Sequence, residues 1–263
     1  MANQTVDKDL NFSGKTILVT GSTRNIGKAI ILEFAARGAN VVINTRSKVD
    51  EAEQTLSEAQ ALGAKGIIVM GDAGQQETVI EMKAKAEEAF GRVDMYVSNA
   101  ARRLSKDFWD LTDEEWHNHL NTQLTGAYYL AKHFAPAMRD AGWGRIIHMN
   151  GPDEIDGGWS RVPHSTAKGG VRTLTKSLAA GFGEHGITVN DVNPGFAGTK
   201  RDLTTHPMFG DEGFAKALAK TIPIGRPTDV SEIAFACAFL CSPRSGAING
   251  SYIHLDGGLD MFG

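Results

Sequence analysis

A repeated unit restricts the fold of this chain more than any other feature of its sequence. In each unit a short apolar run is followed by a segment with apolar residues at helical spacing. The first run, Lys15–Thr20, is too short for a helix, and Ile26–Arg37 then shows helical spacing until Gly38. Strands that alternate with helices predict right-handed β-α-β units, and these build a parallel sheet covered by helices on both faces.

The unit recurs along the whole sequence. We predict strands at Lys15–Thr20, Val41–Asn44, Gly66–Met70, Met95–Ser98, Arg145–Met149, Thr188–Val192 and Tyr252–Leu255. We predict helices at Ile26–Arg37, Val49–Leu62, Glu77–Phe90, Glu114–Met138, Val162–His185 and Asp229–Leu240. The fold class is therefore α/β, a single Rossmann-type doubly wound parallel sheet of about seven strands. We expect one domain over residues 1–263, with a flexible N-terminal arm at 1–12.

Charge and cysteine content argue against several classes of function. The net charge of −4 provides no overall basic field for nucleic acid. Cys237 and Cys241 lie in an apolar stretch, which predicts buried core residues rather than a disulfide or a metal site. Residues 1–10 lack the pattern of a signal peptide, and no apolar run is long enough to span a bilayer. We expect a cytoplasmic protein with a small-molecule substrate, no metal, and no nucleic-acid or membrane partner.

The segment between the first strand and the first helix has the composition of a dinucleotide-binding loop. Thr20–Gly27 reads Thr-Gly-Ser-Thr-Arg-Asn-Ile-Gly. Glycines let the backbone approach a ligand closely, and the free N–H groups at a helix N-terminus suit a pyrophosphate. A plain strand-to-helix turn is the alternative, but the position of the loop in the first β-α unit favours a dinucleotide.

Several motifs in order along the chain resemble those of the short-chain dehydrogenase/reductase family. They are Thr20–Gly27, Asp72, Ser98–Ala101, Asn193–Gly195, Ile222–Pro227 and Leu255–Gly258. The resemblance covers nearly the whole chain and implies a nicotinamide cofactor. Asn25 stands where the family usually has the middle glycine of the first loop. Because Asn tolerates left-handed backbone angles better than most residues, we expect the loop to keep its shape.

The resemblance also implies which residues bind the cofactor. They are Gly21, Ser22, Thr23, Arg24, Asn25, Ile26, Gly27, Arg46, Asp72, Ala73, Asn99, Ala100, Lys168, Pro194, Gly195 and Thr199. Family members that prefer NAD usually carry an acidic residue near Thr45, and this chain has none there. Arg24 and Arg46 are instead placed to pair with the 2′-phosphate of NADP. We expect NADP(H) to be preferred over NAD(H), and two exposed surface arginines are the alternative.

The catalytic positions depart from the family pattern. The family uses Asn, Ser, Tyr and Lys: Tyr transfers the proton, Ser orients the substrate oxygen, Lys activates Tyr and holds the nicotinamide ribose, and Asn supports a proton-relay water. At the matching positions this chain has Gln123, Gly151, His164 and Lys168. Since only the lysine is retained, the resemblance predicts an atypical active site in which His164 stands for the tyrosine.

Three functions are consistent with this pattern. In the first, His164 is the general acid/base that interconverts a carbonyl and an alcohol, because imidazole titrates near pH ~6.5. The missing serine then removes a donor worth about 2.7–4 kcal/mol in comparable sites. In the second, an elimination, isomerisation or hydrolysis uses His164 as base with Asp153 or Glu154 as its partner. In the third, the protein is a non-catalytic NADP-binding partner or sensor.

Candidate substrate residues lie in the loops after the fourth, fifth and sixth strands. Arg102, next to Arg103, is placed to bind a carboxylate or phosphate, and surface salt bridges are an equal alternative. The other candidates are Asn150, Asp153, Glu154, Trp159 and Phe196, and the two aromatic residues suit an apolar or ring-shaped substrate. The polar segment Gly195–Gly213 is predicted to be a loop that acts as a lid. The resemblance further implies a homotetramer or homodimer built on the two longest predicted helices and the C-terminal strand.

Overall fold

The predicted parallel sheet is present in the computed structural model of the chain, which describes residues 8–151, 157–199 and 211–260. Its strands are β1 Thr16–Val19, β2 Asn40–Thr45, β3 Gly66–Met70, β4 Met95–Ser98, β5 Gly144–Met149, β6 Ile187–Asn193 and β7 Tyr252–His254. All neighbours pair in parallel, in the order β3-β2-β1-β4-β5-β6-β7. The prediction of a doubly wound sheet is thus confirmed. The strand order reverses between β1 and β4, which is where such sheets bind their ligands.

Helices cover both faces of the sheet. They are α1 Asn25–Ala36, α2 Val49–Ala61, α3 Gln76–Phe90, α4 Asp113–Leu120, α5 Gly126–Asp140, α6 Val162–Phe182, α7 Glu212–Thr221 and α8 Val230–Cys241. Alternate residues of one strand serve opposite layers, because successive side chains of a strand point to opposite faces. On β1, Ile17 and Val19 pack into the layer that contains α1 and α8, whereas Leu18 packs into the layer that contains α3 and α5.

The helix predicted over Glu114–Met138 is divided in the structure. Helix α4 ends at Leu120, a single π-helical turn covers Asn121–Thr125, and α5 starts at Gly126. Apolar periodicity cannot reveal this π-helical turn, because the residues on both sides of it keep the spacing of a helix. π-Helical turns are found most often at functional sites.

Two further predictions need correction. Residues 8–12 do not belong to a flexible arm, because Leu10 and Phe12 are buried and the Phe12 ring stacks on Phe34 with centroids 4.8 Å apart. The predicted loop Gly195–Gly213 ends in helix α7, which begins at Glu212 and is capped by the side chain of Asp211. Residues 200–210 of that loop lie outside the described part of the chain.

The two cysteines are buried core residues, as predicted. Cys237 and Cys241 are one turn apart on α8, which packs against α1. Burial raises the pKa of both thiols, and the pKa of Cys241 reaches about 12 despite the nearby Arg145 cation. Among the helices that the structure describes, none is both long enough and apolar enough to cross a membrane.

Candidate active site

A cleft of about 620 Å³ opens at the carboxyl ends of β1 to β4, at the reversal of strand order. Most of the predicted cofactor residues line it: Gly21, Thr23, Arg24, Asn25, Ile26, Gly27, Arg46, Asp72, Ala73, Asn99, Ala100 and Thr199. The lining also includes residues that sequence reasoning did not select for this cleft, among them Asn44, Lys48, Glu115, Asn118, His119 and Thr122. Four loops on separate strands therefore form one site.

Side chains from β1 and β4 fix the loop at the centre of the cleft. The Thr20 hydroxyl accepts hydrogen bonds from the backbone N–H groups of Asn99 and Ala100, at 2.9 and 3.0 Å. The Asn99 amide donates to the carbonyls of Thr20 and Gly21, at 2.9 and 3.0 Å. Asn99 therefore holds the loop from the adjacent strand.

Asn44 fixes the same loop from the other side. Its amide donates to the carbonyls of Val69 and Gly71, and its carbonyl oxygen accepts from the Gly21 N–H at 3.3 Å. The Ser22 hydroxyl accepts from the Asn44 N–H at 3.1 Å and is fully buried. Ser22, predicted to bind the cofactor, thus supports the loop from behind and does not line the cleft.

The backbone of this loop has the shape of a phosphate cradle. Gly21 has φ +62° and Asn25 has φ +50°, so Asn25 does occupy the left-handed region that its residue type tolerates. A Cβ on Gly27 would lie 2.5 Å from the Gly21 carbonyl oxygen, so only glycine fits there. Arg24, at the N-cap of α1, makes no side-chain capping bond. The first turn of α1 therefore lacks a side-chain cap from Arg24, and the shape of this cradle fits the pyrophosphate of a dinucleotide.

Basic residues surround the end of β2. Thr45 is buried, and Arg46, Ser47, Lys48 and Arg24 line the cleft beyond it. Arg24, Arg46 and Lys48 are exposed. Three cations at one end of the cleft provide the charge that an additional phosphate group on a dinucleotide requires.

Arg102 is engaged inside the cleft. Its guanidinium donates to the Asp72 carboxylate at 2.6 Å and to the Thr122 hydroxyl at 2.8 Å. The ion pair is partly exposed, so the pairing is of modest strength. Of the two alternatives for Arg102, this geometry favours a salt bridge, and the bridge joins the β3 and β4 loops to the π-helical turn.

His164 and Lys168 are buried one turn apart near the start of α6. The His164 Nδ1 atom lies 3.3 Å from the Arg102 carbonyl oxygen. Since a carbonyl can only accept, Nδ1 carries the proton, and the Nε2 atom of a neutral ring holds the lone pair. The Lys168 ammonium donates a short hydrogen bond to the Met149 carbonyl at the end of β5.

The other two catalytic positions differ in what surrounds them. Gln123 is buried on the π-helical turn, and neither atom of its amide has a hydrogen-bond partner among the described residues. Gly151 is also buried, but a Cβ built on it meets no atom of the described residues within 4 Å. Among residues 8–151, 157–199 and 211–260, none fills the place of the family serine. Asn150, beside it, is buried and donates to the Lys168 carbonyl at 3.3 Å.

The remaining candidates are spread around the site. Trp159 is 58% exposed and packs on two other rings, with its centroid 5.7 Å from Phe108 and 5.9 Å from Trp109. Pro194 is buried, Gly195 (φ +54°) packs against Asp256, and Phe196 is half-buried. None of these residues lines the cleft. Asp153 and Glu154 lie outside the described residues.

One group of potential metal ligands occurs in the described part of the chain. Ligand atoms of His254, Asp256 and Asp260 lie within 4.8 Å of one another. The Asp256 carboxylate accepts from the N–H groups of Gly258 and Asp260, so its place in the cluster is explained by the turn that it closes.

Comparisons with known proteins agree with the fold described above. A family model described as enoyl-(acyl carrier protein) reductase matches residues 21–260. The chain is 37% identical to the 3-oxoacyl-(acyl-carrier-protein) reductase of Escherichia coli over 253 residues, which cover 96% of this chain and 100% of that protein. It is 29% identical to the gluconate 5-dehydrogenase of Gluconobacter oxydans, over 95% of this chain and 96% of that protein. The crystal structure of a Burkholderia cenocepacia gluconate 5-dehydrogenase with NADP and tartrate superposes with a TM-score of 0.87, at 28% identity, over 96% of this chain and 98% of that chain.

Proposed function

Because this chain belongs to the short-chain dehydrogenase/reductase family, we propose that it is an NADP(H)-dependent oxidoreductase that interconverts a carbonyl and an alcohol. We propose His164 as its general acid/base. The observation that carries this proposal is the contact of His164 Nδ1 with the Arg102 carbonyl, which leaves Nε2 as the basic atom of a buried imidazole.

The residues of the chain then divide the chemistry between them. NADP(H), when bound, accepts or supplies the hydride. In alcohol oxidation, His164 Nε2 takes the hydroxyl proton while the hydride leaves the carbinol carbon, and in carbonyl reduction the imidazolium returns that proton to the oxygen. Lys168, one turn further along α6, binds the nicotinamide ribose. Gln123 is placed to hydrogen-bond a water or a substrate group, since both atoms of its buried amide lack partners among the described residues.

The preference for NADP(H) is supported by charge. Arg24, Arg46 and Lys48 border the cleft beyond β2, and no acidic side chain lines the cleft between Asn44 and Lys48. A 2′-phosphate would pair with the guanidinium groups through charge-assisted hydrogen bonds. The gluconate 5-dehydrogenase structure that superposes on this chain contains NADP.

The first test measures binding of NADPH and NADH by nicotinamide fluorescence, because it needs no knowledge of the substrate. We expect NADPH to bind at least about tenfold more tightly than NADH, as one charged hydrogen bond to the 2′-phosphate provides. Equal binding of both would contradict the NADP preference. Binding of neither would contradict the oxidoreductase function itself.

The second test concerns His164. After a screen of carbonyls and alcohols, we expect His164→Ala to lower kcat by about 10²–10⁴-fold and to leave the Kd for NADPH unchanged. The double variant His164→Tyr with Gly151→Ser restores two of the family residues, and no atom of the described residues lies within 4 Å of a Cβ at Gly151. It is expected to gain ordinary carbonyl reductase activity. Full turnover by His164→Ala would eliminate the proposed role, and NADPH binding without turnover of any substrate would favour a sensor.

A further inference from the structure

The carboxylate of Asp191 is buried on β6, under the helix that carries Lys168. Asp191 is 1% exposed on β6, and in the register of the sheet it stands between His148 on β5 and Tyr252 on β7. Helix α6, which carries Lys168, covers this part of β6. Carboxylates are almost never fully buried unless they are paired, so Asp191 requires an explanation.

Two side chains hold this carboxylate in place. The Thr175 hydroxyl donates to one Asp191 oxygen at 2.7 Å, and the Asn150 amide donates to the other at 3.4 Å. The same Asn150 amide donates to the Lys168 carbonyl at 3.3 Å. Asn150 therefore connects Asp191 directly to the helical turn from which the Lys168 side chain extends.

The charged groups around Asp191 are mostly cations. Lys168 and Arg172 face it from α6, and Tyr252 from β7 lies under the Arg172 guanidinium at 4.0 Å. His148, from β5, contacts the Thr175 hydroxyl at 2.7 Å. Burial and the nearby Lys168 cation lower the pKa of His148 to about 3, so the imidazole is neutral and adds no positive charge.

We propose that Asp191 is a positioning residue for Lys168. Its carboxylate, held by Thr175 and Asn150, balances the buried ammonium group and keeps the Lys168 side chain directed toward the nicotinamide ribose. A buried cation without a compensating anion is unfavourable, so a neutral residue at this position leaves Lys168 less firmly held. This inference rests on the proposed function, because that function assigns the ribose to Lys168.

The environment of Asp191 makes this support dependent on pH. Burial raises the pKa of the Asp191 carboxyl to about 6, against the lowering effect of the Thr175 and Asn150 hydrogen bonds and of the Lys168 and Arg172 cations. Above pH 6 the carboxylate is charged and balances Lys168. Below pH 6 it takes up a proton, and the balance is lost.

The first experiment follows the Kd for NADPH from pH 5 to pH 8 in the wild type and in Asp191→Asn, which keeps the shape and removes the charge. At pH 7.5 we expect Asp191→Asn to bind NADPH about tenfold more weakly, equivalent to one pKa unit of coupling. At pH 5 the two proteins should differ by less than about twofold. Because both are measured at each pH, titration of the NADPH phosphate cancels in the ratio. A ratio that stays constant with pH would overturn the proposal.

A matched control separates this effect from a general loss of packing. Thr188→Val changes a buried polar residue at the other end of the same strand, next to Arg145 in the register, without a change of shape. We expect its NADPH affinity to follow the wild type at every pH. If Thr188→Val weakened NADPH binding with the same pH profile as Asp191→Asn, the effect would belong to β6 as a whole and the proposal would fail.

A second experiment needs no cofactor. The pKa of Asp191 in the folded protein exceeds its ordinary value of 3.8, so its contribution to stability is present below pH 3.8 and is lost as pH rises to about 6. We expect the unfolding free energy of the wild type, relative to Asp191→Asn, to fall over this window and then to level off. In a Lys168→Met background this difference in unfolding free energy should level off at a higher pH, because the Lys168 cation that stabilises the Asp191 carboxylate is gone.

The two experiments distinguish the inference from the function on which it rests. If the wild type binds NADPH at no pH, the proposed function fails, and the unfolding data still decide whether Asp191 and Lys168 are coupled. If the levelling pH is the same with and without Lys168, the coupling is absent and the positioning role of Asp191 is overturned.

Discussion

At the scale of single residues, the cofactor site depends on side chains that hold backbone rather than on side chains that face the ligand. Asn44 and Asn99 together direct their amides at four carbonyl groups and fix the loop between them. Buried polar groups of this kind are costly unless they are paired, and fully paired they define one conformation. The cradle at Gly21 is therefore preformed.

The basic residues at the end of β2 carry a prediction of their own. We expect Arg24→Ala and Arg46→Ala each to weaken NADPH binding by about 10- to 100-fold, the range of a charged hydrogen bond, and to leave NADH binding within about twofold. Fluorescence titration measures both. Arg139→Ala removes an exposed arginine, ion-paired with Asp140 at the end of α5, and serves as the control. A similar loss of NADPH and NADH affinity in Arg46→Ala would show that the arginine supports the loop and does not recognise the 2′-phosphate.

Residues differ in how far their roles could be predicted from the sequence. The left-handed backbone of Asn25 could be predicted, because a local turn requires this conformation and Asn tolerates it. The supporting roles of Asn44 and Ser22 could not, since both depend on contacts with other loops. Asp191 is a stronger case: its strand mixes apolar and polar residues, and only the register of three strands and α6 shows what surrounds the carboxylate.

At the scale of elements, the π-helical turn and the loop after β3 are packed backbone against backbone. A Cβ on Gly126 would lie 2.7 Å from the Ala73 carbonyl oxygen, and one on Gly74 would lie 2.8 Å from the Asn121 carbonyl oxygen. The turn that carries Gln123 is thereby held against Asp72 and Ala73, which line the cofactor cleft. The two glycines let the π-helical turn pack closely against the loop after β3.

A glycine-to-alanine pair tests this contact. Gly126→Ala must displace backbone, so we expect a loss of about 1–3 kcal/mol in the free energy of unfolding, together with weaker NADPH binding. Gly181→Ala is the matched control, because Gly181 is exposed near the end of α6 and a Cβ there meets no described atom within 4 Å. It should gain about 0.5–1 kcal/mol from its lower backbone entropy in the unfolded state. Urea unfolding measures both, and equal stabilities for the two variants would contradict the close packing at Gly126.

The strands were predicted almost to the residue, whereas two features of the helices were not. Buried parallel strands are short apolar runs between glycines and polar loops, so their limits are visible in the sequence. The division of the helix at Asn121–Thr125 lies where the chain packs against Gly74, a contact that apolar spacing does not reveal. Helix α7 was missed, since its first residues lie in a segment whose glycines and charges are typical of a loop.

At the scale of the whole molecule, aromatic side chains remain exposed on α5 and α8. Tyr128 on α5 is 45% exposed, and Phe235 and Phe239, one turn apart on α8, are 50% and 46% exposed. Aromatic residues are enriched where two protein chains meet. The face on α5 belongs to the helices that the family resemblance assigns to assembly, and α8 adds a second face that was not predicted.

We therefore propose that the protein is a homotetramer in which both faces are covered. Light scattering at micromolar concentration should give four times the mass of the 28.2 kDa chain. Replacing Phe235 and Phe239 together by Glu should halve that mass, because charged side chains are depleted from the centre of an interface. The control is Lys65→Glu, which lies beyond α2. Lys132→Glu does not serve as a control, because Lys132 lies on α5, the helix that carries the other face. A monomeric wild type would contradict the proposal.

The burial of Cys237 and Cys241 has a practical consequence. Both thiols are sealed between α8 and the sheet and are kept protonated, so a thiol reagent reaches them only when that layer opens. The rate of thiol labelling then reports the opening of the native protein, and no added probe is needed. A molecule that binds the folded state lowers the labelling rate in proportion to its occupancy. Candidate substrates can thus be ranked by the protection that they give to Cys237 and Cys241, before any turnover has been observed.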